Sequence, residues 1–262
     1  MTEQSSMDLL YPARLVFHYE RLMSLALAMS RRSVNALLLG LGGAAMWRFI
    51  RAYLPDCSPT LVDADETIVA IARRWFYLKQ SVVLDTAQRF VAGTSAQYDV
   101  ILVDLYDADG PADSDEVFWT RCLDSLAPGG CLANNWADFA VNPHVRPMAD
   151  ALSLVARARG LEPIFVTRRG FRDNLVQYVP TAPEIDAEAI DVLLQGDHRR
   201  RQWLAGDRRL DIGHEQDPLF GQPCGKHAVG VRYLLQVMQF DTAGGISENP
   251  FVNDALDLGL VL

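Results

Sequence analysis

Tyr98-Asp99-Val100-Ile101-Leu102-Val103-Asp104-Leu105-Tyr106-Asp107-Ala108-Asp109-Gly110-Pro111 drives an apolar run straight into a loop of carboxylates. Ile101, Leu102 and Val103 suit a strand covered on both faces, as in a parallel sheet flanked by helices. Open sheets of that kind bind ligands just beyond the carboxyl ends of their strands. Asp104 falls at that edge, and Asp107, Asp109, Asp113, Asp115 and Glu116 follow with no Lys or Arg among them. A loop of this charge repels anions and attracts amines.

Outward from this stretch, strands and helices alternate. Residues 35–39, 60–62 and 82–84 read as strands, with helices over 44–54 and 66–76 and a short helix over 87–91. After the 98–103 strand comes a helix over 115–126, stopped by Pro128-Gly129-Gly130, and a fifth strand over 131–134. A helix over 145–159 leads to two short strands, 164–167 and 175–179, which form a terminal hairpin. Parallel neighbours need crossover helices, so the pattern predicts an α/β fold: a doubly wound, mostly parallel seven-stranded sheet of Rossmann-like type. Five parallel strands closed by a hairpin is the order seen in class I methyltransferase folds. Leu15, Leu22, Met23, Leu25, Ala26 and Met29 recur at helical spacing and predict an amphipathic lead-in helix over 12–30. The chain therefore divides into a lead-in (1–33), the sheet domain (34–180) and a helical C-terminal extension (181–262) that carries the basic run His198-Arg199-Arg200-Arg201.

A chain of 262 residues, half of them hydrophobic, can bury one large core. The net charge of −9 argues against nucleic acids and anionic membrane surfaces as partners, since both select for Lys and Arg. Cys57, Cys122, Cys131 and Cys224 contain no C-x-x-C pair, which indicates neither a disulfide framework nor a zinc ribbon. Reduced thiols, no secretory signal and no apolar run near the roughly 20 residues of a spanning helix point to a cytoplasmic protein. No metal site is expected, because His214, Cys224 and His227 read as surface residues on a polar loop.

Leu37-Leu38-Leu39-Gly40-Leu41-Gly42-Gly43-Ala44-Ala45 puts Gly40, Gly42 and Gly43 where a strand turns into a helix, which lets the backbone approach a ligand closely. Read strictly this is G-x-G-G, an incomplete dinucleotide fingerprint, which disfavours a nicotinamide dehydrogenase. Asp63, at the end of the next strand, suits the ribose hydroxyls of a nucleoside, with a helix N-cap as its structural alternative. Asp85 and Thr86 end the third strand, where Asp85 can accept from an adenine amine or cap the helix that follows. Three successive strand ends of this kind point to an adenosine-bearing ligand.

With these residues assembled, the region from about Leu15 to Val179 resembles the spermidine synthase (polyamine aminopropyltransferase) family. The family's G-G-G-D-G-G turn corresponds to Gly40-Leu41-Gly42-Gly43-Ala44-Ala45, its V-E-I-D to Val62-Asp63-Ala64-Asp65, and its G-D-G/A to Leu84-Asp85-Thr86. Its D-x-x-D loop is similar to Asp104-Leu105-Tyr106-Asp107, followed by Gly110-Pro111. The resemblance implies transfer of an aminopropyl group from decarboxylated S-adenosylmethionine to a small-molecule amine, with Asp104 as general base and Asp107 as amine anchor. Tyr19 is implied as the pocket tyrosine that orients the amine, with packing on the first helix as its alternative reading. Trp136, after the fifth strand, is a candidate for lining the acceptor pocket or for capping the core. Four departures stand out. Gly43 replaces the acid of the family's turn, Glu20 stands where a histidine follows the pocket tyrosine, the tail after Pro180 aligns with nothing, and the family's small N-terminal β domain is not expected. The chain thus resembles a short form of the family, and a homodimer is open to it. Two alternatives remain: a methyltransferase using intact S-adenosylmethionine, and a non-catalytic adenosine-ligand-binding homologue.

Overall fold

In the computed structural model, residues 5–30, 32–107, 110–111, 114–140, 142–168, 174–181 and 260–261 are described. The middle of the sheet is β1 (Asn35–Leu39), paired in parallel with β2 (Ser58–Asp63) on one side and β4 (Tyr98–Val103) on the other. Beyond β2 lies β3 (Val83–Leu84), also parallel. Beyond β4 comes β7 (Leu126–Trp136), then antiparallel β9 (Leu175–Pro180) and β8 (Ile164–Arg168). The terminal hairpin is present, with its second strand inserted against β7. These seven strands are the ones expected. Leu260–Val261 adds an eighth, β10, antiparallel to β8. Apart from Thr181 and this strand, the expected helical extension lies outside the described residues.

Alternation along the strands divides the core in two. Ala36, Leu38, Val100, Leu102, Cys131, Ala133, Val176 and Tyr178 face one side, where they meet the lead-in segment and α3 (Ala45–Tyr53) and α4 (Glu66–Trp75). Leu37, Leu39, Ile101, Val103, Leu132 and Val179 face α5 (Ala87–Gly93), α6 (Glu116–Asp124) and α7 (Arg146–Arg157) on the other. Both faces are covered, which is why β1 and β4 read as unbroken apolar runs.

The lead-in differs from the expected single helix. It forms α1 (His18–Ser24) and α2 (Ala26–Met29), and residues 12–17 are not helical. Two side chains set that start. The Glu20 carboxylate accepts from the Phe17 N–H at 3.1 Å, closing the first turn, and Arg21 folds the preceding chain back by donating to the carbonyls of Leu15 (2.8 Å) and Val16 (3.1 Å). The Tyr178 hydroxyl donates to the Leu22 carbonyl at 2.6 Å, fixing α1 to the sheet.

Pro128-Gly129-Gly130 was expected to separate helix from strand, but it lies within β7. Tyr98 pairs with Leu126, and the register then slips so that Val100 pairs with Cys131. A Cβ on Gly130 would stand 2.7 Å from the Asp99 carbonyl oxygen, so glycine is what admits the irregularity there. Among the described residues no helix is long and apolar enough to cross a membrane.

Candidate active site

Four strand ends come together along the carboxyl edge of the sheet, tied by backbone hydrogen bonds. Asp85 N–H donates to Asp63 O at 3.2 Å, Gly40 N–H to Val62 O at 3.0 Å, and Asp104 N–H to Leu39 O at 2.9 Å. Gly40 has φ +87°, and a Cβ there would lie 2.1 Å from the Asp104 carbonyl oxygen. Glycine is therefore what lets the turn pass directly against the end of β4.

Asp63 is not the cap of α4. Its carboxylate accepts from the Leu41 N–H of the glycine turn at 2.8 Å and from the Asp65 N–H at 2.9 Å. Asp65 is the cap, accepting from Thr67 N–H and Ile68 N–H. A carboxylate has about four lone-pair sites, so Asp63 keeps capacity for further donors at the rim of the turn. Asp85 accepts from Thr86 N–H at 2.8 Å and pairs with Arg89 at 3.3 Å, while Thr86 caps α5 through Arg89 N–H.

Gly43 carries a contact that sequence reading did not anticipate. Its N–H donates to the Ser5 hydroxyl at 2.8 Å, and a Cβ on it would stand 2.9 Å from Ser5 Cβ and 3.0 Å from the Phe76 ring. Arg48, 6% exposed, holds this region together. It donates to the carbonyls of Pro12 (2.7 Å), Phe76 (3.2 Å) and Gly43.

On the other side of Gly40, Asp104 sits in a polar network. Its Oδ1 accepts from Asn135 Nδ2 at 2.8 Å, and it is hydrogen-bonded to Tyr19. Asn135 Oδ1 accepts from Asn174 Nδ2 at 2.9 Å, and Asn174 is hydrogen-bonded to Tyr106. Burial pushes the Asp104 carboxyl above the usual carboxylate range, and the hydrogen bonds from Asn135 and Tyr19 oppose that rise. Burial, followed by the Asp104 charge, pushes the Tyr19 phenol upward, so it stays protonated and donates to Asp104. Glu20 is next along α1, and only 6% exposed. Burial pushes its carboxyl up to about 7, with the Phe17 amide opposing and the charge of Asp104 adding.

Asp104 and Tyr19 thus lie together, whereas Trp136 does not face this network. Its indole is 2% exposed, donates to Gln177 Oε1 at 2.8 Å, and lies edge-on to Trp119 with ring centroids 5.8 Å apart. A one-residue step along a strand reverses the face, so it is Asn135 that reaches Asp104. Asp107 lies in a small hairpin, β5 (Tyr106–Asp107) with β6 (Gly110–Pro111), and its side chain is outside the described residues, as are Asp109 and Asp113. Asp115 is a helix cap, accepting from Phe118 N–H at 2.8 Å. Among the described residues no cluster of three or more His, Cys, Asp or Glu could hold a metal ion. A separate cavity of about 380 Å³ opens beneath the N-terminal segment, lined by Asp8, Arg14, His18 and Arg21 among others, and none of the strand-end residues borders it.

The Spermine/spermidine synthase domain model matches residues 16–183. The polyamine aminopropyltransferase of Neisseria meningitidis serogroup B is 34% identical over 143 residues, and that of Chromobacterium violaceum 35% identical over 142. Each match covers 52% of this chain and 54% of the relative, so the chain spans about half the length of the curated relatives it matches. Among solved structures, a probable spermidine synthase from Corynebacterium glutamicum has a TM-score of 0.54 at 19% identity, covering 79% of this chain and 85% of that one. Human methyltransferase-like protein 13, in complex with SAH, has a TM-score of 0.53 at 21% identity, covering 74% and 96%. Identities this low speak for a shared fold and no more.

Proposed function

This chain belongs to the spermine/spermidine synthase domain family, and on that premise we propose that it transfers an aminopropyl group from decarboxylated S-adenosylmethionine to a polyamine-type amine. The observation that carries this reading is the carboxylate of Asp104, held by Asn135 and Tyr19 beside the glycine turn. On the donor side, Asp63 would accept from the ribose hydroxyls and Asp85 from the adenine amine. Gly40 and Gly42 leave the backbone open to the nucleoside.

The acceptor arrives as an ammonium and must lose a proton before it can attack. Asp104 takes that proton, freeing the nitrogen lone pair. The C–N bond forms at the carbon beside the sulfonium, the C–S bond breaks, and methylthioadenosine leaves. A carboxyl raised toward the working pH suits this role, since proton-transfer efficiency is greatest when the base titrates near it. Tyr19 O–H and Asn135 Nδ2 hold the carboxylate in one orientation as it gains the proton.

Turnover of decarboxylated S-adenosylmethionine with 1,4-diaminobutane, read as methylthioadenosine release, tests the reading. Asp104→Asn should lower kcat by a factor of about 100 to 10,000, the usual range for losing a general base, and leave methylthioadenosine binding intact. Equal turnover by the variant would remove Asp104 from the chemistry. One observation favours the methyltransferase alternative. Position 43 carries no acid to repel the carboxylate of intact S-adenosylmethionine, and Ser5 and Phe76 leave no room for one.

A further inference from the structure

Alternation along β7 and β9 carries one row of side chains out to the carboxyl edge of the sheet. Ala133 on β7 and Tyr178 and Val176 on β9 face the α1 side and belong to the core there. Asn135 pairs with Val176 across the antiparallel ladder, and Asn174, two residues before Val176, falls on the same face beside it. The row thus turns from apolar to amide where it reaches Asp104. Asn135 is 3% exposed. Its Nδ2 donates to Asp104 Oδ1 at 2.8 Å, and its Oδ1 accepts from Asn174 Nδ2 at 2.9 Å. Asn174 is also hydrogen-bonded to Tyr106, the first residue of the β5–β6 hairpin. One side chain therefore touches both the amide that holds the proposed base and the hairpin that follows that base. A side-chain amide can turn over, exchanging its donor and acceptor ends. Turned over, Asn135 would set its Oδ1 against the Asp104 carboxylate and its Nδ2 against Asn174 Nδ2, opposing acceptor to acceptor and donor to donor.

We propose that Asn174 is a positioning residue for the transfer: by donating to Asn135 Oδ1 it locks that amide with its N–H end toward Asp104. The proposal rests on the transferase reading and deepens it, because the lock decides which protonation state of the base is favoured. A donor facing Asp104 stabilises the carboxylate, whereas an acceptor in the same place would stabilise the protonated acid. Burial already favours the protonated acid. A base left in that state cannot take a proton from the ammonium acceptor, and one that holds its proton too firmly cannot return it to water after the product leaves. The lock works against both, and neither asparagine gains or loses a proton. The titratable groups whose charge reaches Asp104 are Tyr19 and Glu20 from α1 and Tyr106 from β5. Burial pushes both phenols upward, so they stay protonated. Glu20, pushed up to about 7, is present in wild type and variants alike, so a difference between them belongs to the amides.

Asn174→Ala in the full chain, read on the Asp104 carboxyl 13C resonance across pH, tests the lock. The midpoint should rise by about one pH unit, the scale of one hydrogen bond. The rise should be at least as large as in Asn135→Ala, because the released amide can turn its Oδ1 to accept from the protonated acid. The double variant should titrate with Asn135→Ala, since Asn174 acts only through Asn135. In turnover of decarboxylated S-adenosylmethionine with 1,4-diaminobutane, kcat/KM on the acidic limb should fall about tenfold. Above that limb it should return to within about twofold of wild type, a recovery that a damaged fold would not show. In the wild type, a readout that needs no variant to fold, the Asn135 side-chain N–H should stay directed at Asp104 while the carboxyl titrates. An unmoved midpoint in Asn174→Ala, a further shift in the double variant beyond Asn135→Ala, or a wild-type Asn135 amide that turns over as Asp104 titrates would each overturn the proposal. Absence of turnover in the wild type would sink the transferase reading, while the carboxyl titration, which uses no substrate, would still judge Asn174.

Discussion

Glu20→Gln should stabilise the folded chain above neutral pH. The folded carboxyl titrates at about 7 against an ordinary value of 4.5. Between those two pH values the folded state holds a proton that the unfolded state has released, so stability falls as pH rises through the window and levels off above it. At about 1.4 kcal/mol for each pH unit, the cost of carrying Glu20 at pH 8 is about 3 kcal/mol. Glutamine carries no such cost and keeps the bond to Phe17. Wild type and variant should therefore unfold alike near pH 4, and at pH 8 the variant should be the more stable by about 3 kcal/mol, or roughly 6–12 °C in Tm for a domain of this size. Urea unfolding at pH 4, 6 and 8 measures this directly. A variant less stable than wild type at pH 8, or a difference independent of pH, would show that Glu20 is ionised and well compensated where it stands.

Gly40→Ala should cost more than about 3 kcal/mol, because a positive φ and a contact of 2.1 Å to the Asp104 carbonyl must both be relieved; an equilibrium unfolding change below 1 kcal/mol would contradict the described approach of β1 to β4. Asn135→Ala removes a hydrogen bond that favours the ionised form of Asp104, so the acidic limb of kcat/KM should move to higher pH and the value at pH 7 should fall about tenfold. An unshifted pH profile would mean that Asn135 does not hold the base. Trp136→Phe leaves Gln177 Oε1 without its indole donor in the core, which should cost about 1–3 kcal/mol in urea unfolding with diamine affinity unchanged; weaker diamine binding at full stability would return Trp136 to the acceptor pocket.

The sheet was legible because its signals are local. An apolar run followed by an acid, a glycine turn after Leu39 and acids after Val62 and Leu84 each mark a strand end by themselves. Parallel order then brings those ends to one edge. What stayed hidden are contacts between distant segments. Nothing around Ser5 announces that its hydroxyl meets Gly43, and the Tyr19–Asp104 hydrogen bond joins a helix start to a strand end far along the chain. At Asn135 and Trp136 the signal was present but misread: alternation from Ala133 assigns Asn135 to the α1 side, while the tryptophan drew attention by its size. At Pro128-Gly129-Gly130 turn chemistry was read as a stop, whereas paired strands can absorb extra residues as a bulge.

Parallel calorimetric titration with decarboxylated S-adenosylmethionine, methylthioadenosine and intact S-adenosylmethionine tests the central claim most directly. The account predicts that the first two bind more tightly than the third, since the Asp104 carboxylate disfavours a second carboxylate in the space the acceptor and the aminopropyl chain share. Preference for intact S-adenosylmethionine would contradict aminopropyl transfer and favour methyl transfer, and binding of none of the three would contradict the adenosine site itself.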